Sequence, residues 1–346
     1  MIDDTHPILS QPRFQPPENW DWSFRTLNGI KIRYGQPRSR KIYSAIVLIL
    51  GGLGDFGEKY FEFCHDLESR NIKPIIIDLP GQGGSGRYLD NPHKRHSAGF
   101  DELLKDIHIL VDEIVLSAAI DAEDNHKRLP MILFGHSMGG HLALRYLVEY
   151  NKTSRGQQIF CAAVMTAPMI KIKTFDPIPD FVTKLLVKFM ALRPTAYVSG
   201  GSDWHEEFRN RTRIPNYYTH DPERGTLQNA FLLHPEYSHL ATGSPTNKWL
   251  YDAVNSCLLL KKKDYLEKID VPVFIALAGN DLRVSNKAKR KAASHIKNCE
   301  LQELDGASHE ILMEKDEYRS AFLDRFFTFL ENNVFNKDDK GKSFIL

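Results

Sequence analysis

The stretch Met131-Ile-Leu-Phe-Gly-His-Ser-Met-Gly-Gly-His-Leu-Ala-Leu-Arg-Tyr-Leu-Val148 decides the fold. Its first four residues are apolar and long enough for a buried strand, and a mostly apolar helical run follows from His141. The turn between them must reverse direction within very few residues. Gly135 and Gly139 stand two residues either side of Ser137, and this Gly-x-Ser-x-Gly spacing lets backbone pass close to a strained serine without a Cβ clash. The serine Oγ is thereby placed at the head of a helix beginning around Gly139 or Gly140. Unpaired N–H groups and the helix dipole there favour negative charge forming on a substrate, which is acyl-transfer geometry.

The flanking chain alternates strand and helix. Residues 22–34 alternate apolar with polar around Asn28-Gly29, which predicts a β-hairpin. Residues 45–50 are continuously aliphatic and lead into the loop Gly51-Gly-Leu-Gly-Asp-Phe-Gly57, with a helical stretch over 58–69. A second buried strand at 74–78 is followed by a glycine-rich turn at 81–86 and a helix from about 100 to 116. Strands at 131, 162–166, 271–277 and 300–304 continue the series, so a mostly parallel sheet covered on both faces is expected.

Between about 169 and 263 the alternation stops. Phe181, Leu185 and Phe189, with Val182, Leu186 and Met190 beside them, have helical spacing and are bracketed by Pro177, Pro179 and Pro194. Such a helix either docks its wide apolar face on the core or lines an acyl-chain tunnel. The chain accordingly divides into an N-terminal extension (1–21), an α/β core (22–168 and 264–335), a mainly helical cap (169–263) and a flexible tail (336–346).

A serine at such a turn needs a histidine and an acid downstream. Of the 14 histidines, His295 and His309 follow the last acid position. His295 falls in a helical run over 286–296, whereas His309 lies in the loop Asp305-Gly-Ala-Ser-His309 after the 300–304 strand, where it can reach the sheet edge that carries Ser137. His309 is therefore the candidate base. Asp281, in Ala-Gly-Asn-Asp after the 271–277 strand, is the candidate acid. Asp270 precedes that strand, Asp305 is too near His309 in sequence, and Asp176 is the reserve; a turn or capping aspartate is the plain alternative for Asp281. Two backbone N–H donors would complete an oxyanion hole, that of Met138 and that of Leu53 in the early glycine loop.

A rival reading exists. Gly52-x-Gly54-x-x-Gly57 follows a strand and opens a helix, with Asp78 further on, as in a dinucleotide fingerprint for a nicotinamide-dependent oxidoreductase. That reading leaves Ser137, Asp281 and His309 as coincidences. The second formal match, Gly81-x-Gly83-x-x-Gly86, opens no helix, and the His93-x-x-His96 pair reads as an exposed loop with no metal-ligating neighbours. A binding protein with a silent site is the other class left open.

Composition narrows the partners. The chain has 346 residues, 42% of them hydrophobic, enough for a large core. Its 45 basic and 44 acidic residues leave a net charge of +1, which gives no field for nucleic acid. Cys64, Cys161, Cys257 and Cys299 are far apart in sequence and suit free thiols in a reducing compartment. With no apolar leader or anchor visible in the polar, proline-containing first 22 residues, a cytoplasmic location is expected, and peripheral membrane contact remains open.

The motifs together resemble the α/β-hydrolase fold, and within it the monoacylglycerol lipase and bacterial lysophospholipase L2 group. The resemblance covers residues 24–330. It rests on Gly-Gly-Leu-Gly-Asp-Phe-Gly-Glu-Lys-Tyr60, Asp78-Leu-Pro-Gly-Gln-Gly-Gly-Ser85, Gly-His-Ser-Met-Gly-Gly140, Gly-Asn-Asp281 and Ala-Ser-His309. Gly243-Ser-Pro-Thr-Asn-Lys-Trp249 is similar to the lysophospholipase L2 branch. One departure is Gly51, where relatives commonly carry histidine before the glycine of the oxyanion loop. The resemblance implies a serine hydrolase that cleaves a lipid ester through an acyl-enzyme with no cofactor and no metal. A lysophospholipid substrate is favoured, with a monoacylglycerol or a small ester as alternatives.

Overall fold

The computed structural model describes residues 7–38, 41–119, 128–153, 156–208 and 218–336. Eight strands form one sheet: β1 (Trp20–Leu27), β2 (Ile30–Pro37), β3 (Ala45–Leu50), β4 (Ile72–Ile77), β5 (Met131–His136), β6 (Ala162–Thr166), β7 (Val273–Ala278) and β8 (Cys299–Leu304). Their order is β1-β2-β4-β3-β5-β6-β7-β8. The β1–β2 hairpin joins antiparallel through β2–β4, and every other pairing is parallel.

Continuous aliphatic runs form the central strands because both faces are covered. Every residue of β3, β5, β6 and β7 is buried. Ile46, Leu48 and Leu50 point to one core, with α2 (Phe100–Leu110) and α3 (Met138–Glu149); Val47 and Ile49 point to the other, with α1 (Phe61–Ser69) and α8 (Asp316–Asn333). The second core is aromatic, with Phe63, Phe134, Phe274, Phe322 and Phe326 in mutual contact. Between β6 and β7 lie α4 (Asp180–Met190), α5 (Pro222–Leu233) and α6 (Asn247–Leu260); α7 (Asn286–Ala293) links β7 to β8.

Several sequence expectations shift. Where it is described, the N-terminal extension packs on the core, with Ile8, Leu9 and Phe14 buried in the aromatic cluster. The helix expected over 100–116 is regular only to Leu110, then widens into a π-helical turn over Val111–Val115. The strand expected from 271 starts at Val273, since Pro272 has no N–H to give the ladder. Helix α7 ends at Ala293, so His295 lies in the turn beyond it. His93 and His96 are half-buried rather than exposed: the His93 carbonyl accepts from Gly243 N–H, and His96 Nδ1 is 2.9 Å from Thr246 Oγ1. The flexible tail expected over 336–346, apart from Asn336, lies outside the described residues.

The largest departure concerns α4. Val187 and Met190 pack on the core, but the row of Phe181, Leu185 and Phe189 neither docks on it nor is enclosed. Only Thr183 and Val187 are buried, while Phe181, Leu185 and Phe189 are 77%, 68% and 72% exposed, and Leu192 just beyond is 74% exposed.

Candidate active site

The elbow is built by backbone meeting backbone. Ser137 caps α3 with φ +52°, a left-handed value that costs a serine of order 1 kcal/mol or more and persists only where its surroundings demand it. Here they do. A Cβ on Gly139 would lie 2.0 Å from the Leu50 carbonyl oxygen, and one on Gly135 would lie 2.5 Å from that of Gly139. The start of α3 therefore presses directly on the end of β3 and on β5. Ser137 N–H donates to Thr166 O at 3.0 Å, and its carbonyl accepts from His141 and Met169 N–H.

The loop after β8 brings His309 to this edge. Its Nε2 lies 2.9 Å from Ser137 Oγ, and its Nδ1 lies 3.0 and 3.1 Å from the two Asp281 carboxylate oxygens. All three residues are buried. Asp281 also makes the turn contacts that its plain alternative required, since its Oδ1 accepts from Arg283 N–H at 2.8 Å and Val284 N–H at 3.0 Å. Its other oxygen accepts from Lys289 Nζ at 2.6 Å. Burial opposes ionisation of Asp281, but the attraction and hydrogen bonds of His309 and Lys289 outweigh it and hold the carboxyl well below the usual carboxylate range. The other carboxylates pair elsewhere or face solvent: Asp270 is bound to Lys152, the reserve Asp176 to Lys173, and Asp305 is exposed.

Gly52 brings the glycine loop against the nucleophile, since a Cβ there would be 3.3 Å from Ser137 Cβ. The loop is pinned on either side of Leu53. Gly52 N–H donates to Asp55 Oδ2 at 2.7 Å and Gly54 N–H to Gln82 Oε1 at 2.9 Å; Gln82 Nε2 returns to Gly52 O at 2.7 Å. Arg95 holds the Leu53 carbonyl at 3.0 Å and also donates to Gly243 O. Among the described residues no acceptor takes the Leu53 or the Met138 N–H, so both can serve an oxyanion. Gly51 is explained as well. A Cβ there would meet Asp55 Cβ at 3.1 Å and Tyr60 at 3.3 Å, and the Tyr60 hydroxyl to Asp55 bond of 2.7 Å fills the space beside it.

These contacts also answer the dinucleotide reading. The Gly52 and Gly54 N–H groups that would cradle a pyrophosphate already serve side chains, a Cβ on Gly57 would strike Trp22, and Asp78 is bound by Arg33 and Gly84 N–H. Among the described residues no group of three or more His, Cys, Asp or Glu is placed to hold a metal ion. The four cysteines are free.

Sequence reasoning passed over Asp55, Gln82, Arg95 and Lys289. The first two stand inside the quoted glycine motifs, where a polar side chain among turn glycines could have been read as a loop anchor. His136 is also drawn in, its ring centroid 5.0 Å from that of His309; burial and that neighbour push its imidazole down to about 4, so it stays neutral at working pH. A cavity of about 660 Å³ opens above Ser137, within the range typical of ligand pockets, ~300–1,000 Å³. Its apolar wall includes Phe175, Met190, Val198, Trp249 and Leu250, all from the segment between β6 and β7.

The sequence model of the Hydrolase_4 family, described as serine aminopeptidase, S33, matches residues 42–316. The chain belongs to that family. This Hydrolase_4 chain is 26% identical to lysophospholipase L2 of Escherichia coli (strain K12) over 322 residues, covering 90% of this chain and 87% of the relative. It is 24% identical to a probable lysophospholipase L2 of Haemophilus influenzae, covering 80% and 81%. Among solved structures, a soluble variant of the monoglyceride lipase of Saccharomyces cerevisiae superposes with TM-score 0.65 at 18% identity, covering 92% and 96% of the two chains. A carboxyl esterase from Bacillus coagulans gives 0.69 at 16% identity, covering 92% and 100%. The α/β-hydrolase fold and the family group expected from the motifs are both found.

Proposed function

We propose that this protein is a serine hydrolase that cleaves the carboxylic ester of a single-chain lipid, a lysophospholipid first, through an acyl-enzyme. The observation that carries the reading is the hydrogen-bonded chain Ser137–His309–Asp281 under a largely apolar cavity. The lysophospholipase L2 relatives, matched over most of their length, support the choice of a lysophospholipid.

Ser137 Oγ attacks the ester carbonyl as His309 Nε2 takes its proton, and Asp281 holds the ring and stabilises the imidazolium. The carbonyl oxygen, now negative, is met by the N–H groups of Leu53 and Met138. Collapse expels the alcohol, which takes the proton from His309. Water, deprotonated by the same imidazole, then releases the fatty acid and restores Ser137. Fluorophosphonate labelling is the direct test: the wild type is labelled and Ser137→Ala is not. A wild type that stays unlabelled with the cavity open would sink the reading.

The residues between β6 and β7 act as a cap whose α4 face meets an anionic bilayer. Phe181, Leu185 and Phe189 recur at one-turn intervals on the exposed side, Leu192 extends the patch, and exposed Lys184, Lys188 and Arg193 flank it. Met190 of the same helix lines the cavity, so docking would set its mouth against the lipid. No described helix is long and apolar enough to cross a membrane. Replacing Phe181, Leu185 and Phe189 together with serine should lower partitioning onto phosphatidylglycerol-containing vesicles by ~10²-fold or more, since each side chain loses a substantial part of ~1.5–3 kcal/mol. Hydrolysis of a soluble short-chain ester should be unchanged. Equal flotation of the variant and wild type would remove α4 as the docking face.

A further inference from the structure

Helix α7 reads Asn286-Lys-Ala-Lys-Arg-Lys-Ala-Ala293, and three of its four basic residues, Lys287, Arg290 and Lys291, are exposed. Lys289 is the exception. Its side chain has no solvent exposure, on the face that also buries Ala292 and Ala293. Packing alone would be served there by an aliphatic residue, because burying an ammonium is costly unless it is paired. The partner is the Asp281 carboxylate, itself without side-chain exposure, at 2.6 Å.

We infer that Lys289 is a positioning residue for the hydrolytic site: its ammonium orients the Asp281 carboxylate and limits how strongly that carboxylate pulls on the His309 proton. The inference rests on the proposed Ser137–His309–Asp281 triad. Asp281 Oδ1 is taken up by Arg283 and Val284 N–H, so the direction of Oδ2 is set by Lys289 on one side and His309 on the other. Fixing Oδ2 fixes the imidazole plane, and with it the line from Nε2 to Ser137 Oγ.

The charge acts as well as the geometry. An Asp281 carboxylate facing only His309 would favour the imidazolium; the Lys289 cation on its far side, 2.6 Å from Oδ2, opposes that preference. The other charged groups bearing on Lys289 are Lys173, from the segment after β6, and Glu303, on β8. Burial lowers the ammonium from its ordinary value and Lys173 adds to this, while Asp281 and Glu303 act to retain the charge.

The sign of the effect follows. Removing the cation lets the imidazole hold its proton more tightly, so a higher pH is needed to free the base. The acid-side limb of kcat/KM, measured on a soluble short-chain nitrophenyl ester, should therefore move upward by ~1 pH unit in Lys289→Met and in Lys289→Gln. Glutamine retains a donor and lacks the charge, so the two variants together assign the shift to charge. A limb that stays at the wild-type position in either folded variant overturns the inference, even if kcat falls. Failure of both variants to show a cooperative melt assigns Lys289 to folding and overturns it too. Fluorophosphonate labelling of the wild type separates the levels: an unlabelled wild type overturns the triad and this inference together, whereas a labelled one with an unmoved limb overturns this inference alone.

Discussion

Ser137→Ala lowers kcat on a lysophospholipid by ~10⁶, the scale for losing a triad nucleophile, while affinity for a non-hydrolysable ether analogue is retained. The two halves of this result have separate causes. The deleted Oγ is the atom 2.9 Å from His309 Nε2, and among the described residues no other hydroxyl bonds to that nitrogen. Binding draws instead on the apolar wall of Phe175, Met190, Trp249 and Leu250, which the substitution does not touch. The backbone that carries the residue stays as it was, because its φ of +52° is imposed by the Gly139 to Leu50 contact and not by the hydroxyl. Some acceleration over water remains, since the Leu53 and Met138 N–H groups still polarise a bound carbonyl. Single-turnover assays and calorimetry with the ether analogue would measure the two parts. Turnover within ~10² of wild type would remove Ser137 from the chemistry.

Most of the sheet was legible because buried parallel strands leave unbroken aliphatic runs. Ala45–Leu50 and Ala162–Thr166 have the boundaries expected from the sequence. The elbow was legible for a different reason: only glycine fits where α3 meets β3, so the steric requirement is written in Gly135 and Gly139. Asp281 and His309 could be chosen by position at strand ends, and the structure brings His309 to Ser137 and Asp281 to His309.

What was not legible depends on long-range partners. Nothing local in Asn286-Lys-Ala-Lys-Arg-Lys says which lysine turns inward, since Lys289 is singled out only by a carboxylate eight residues earlier. Gln82 serves the loop at Gly52 and Gly54 across 30 and 28 residues of chain. Helix α4 failed for the opposite reason. Its apolar periodicity was read as a contact within the chain, because hydrophobic spacing reports that a face avoids water and not what covers it.

Asp281→Asn should lower kcat by ~10⁴, and the hydrogen bonds around this carboxylate explain why an isosteric change is so costly. Asp281 accepts from four donors: Arg283 N–H and Val284 N–H on one oxygen, Lys289 on the other, and His309 Nδ1 near both. Asparagine offers one acceptor and one donor. If its oxygen faces the two backbone N–H groups, the amide NH₂ confronts both the Lys289 ammonium and His309 Nδ1. The ring must then accept at Nδ1, which moves its proton to Nε2 and points it at Ser137, so the base is lost. If the amide is flipped, its NH₂ meets two N–H donors instead, and those are left unsatisfied at a cost of about 1–3 kcal/mol. Either arrangement couples lost activity to lost stability. The expected result is therefore a fall in both kcat and Tm for Asp281→Asn, against a fall in kcat alone for Ser137→Ala. Paired kinetic and melting measurements on the two variants would show this. An Asp281→Asn protein with wild-type kcat would return Asp281 to the role of a turn residue and leave His309 to be oriented by the loop that carries it.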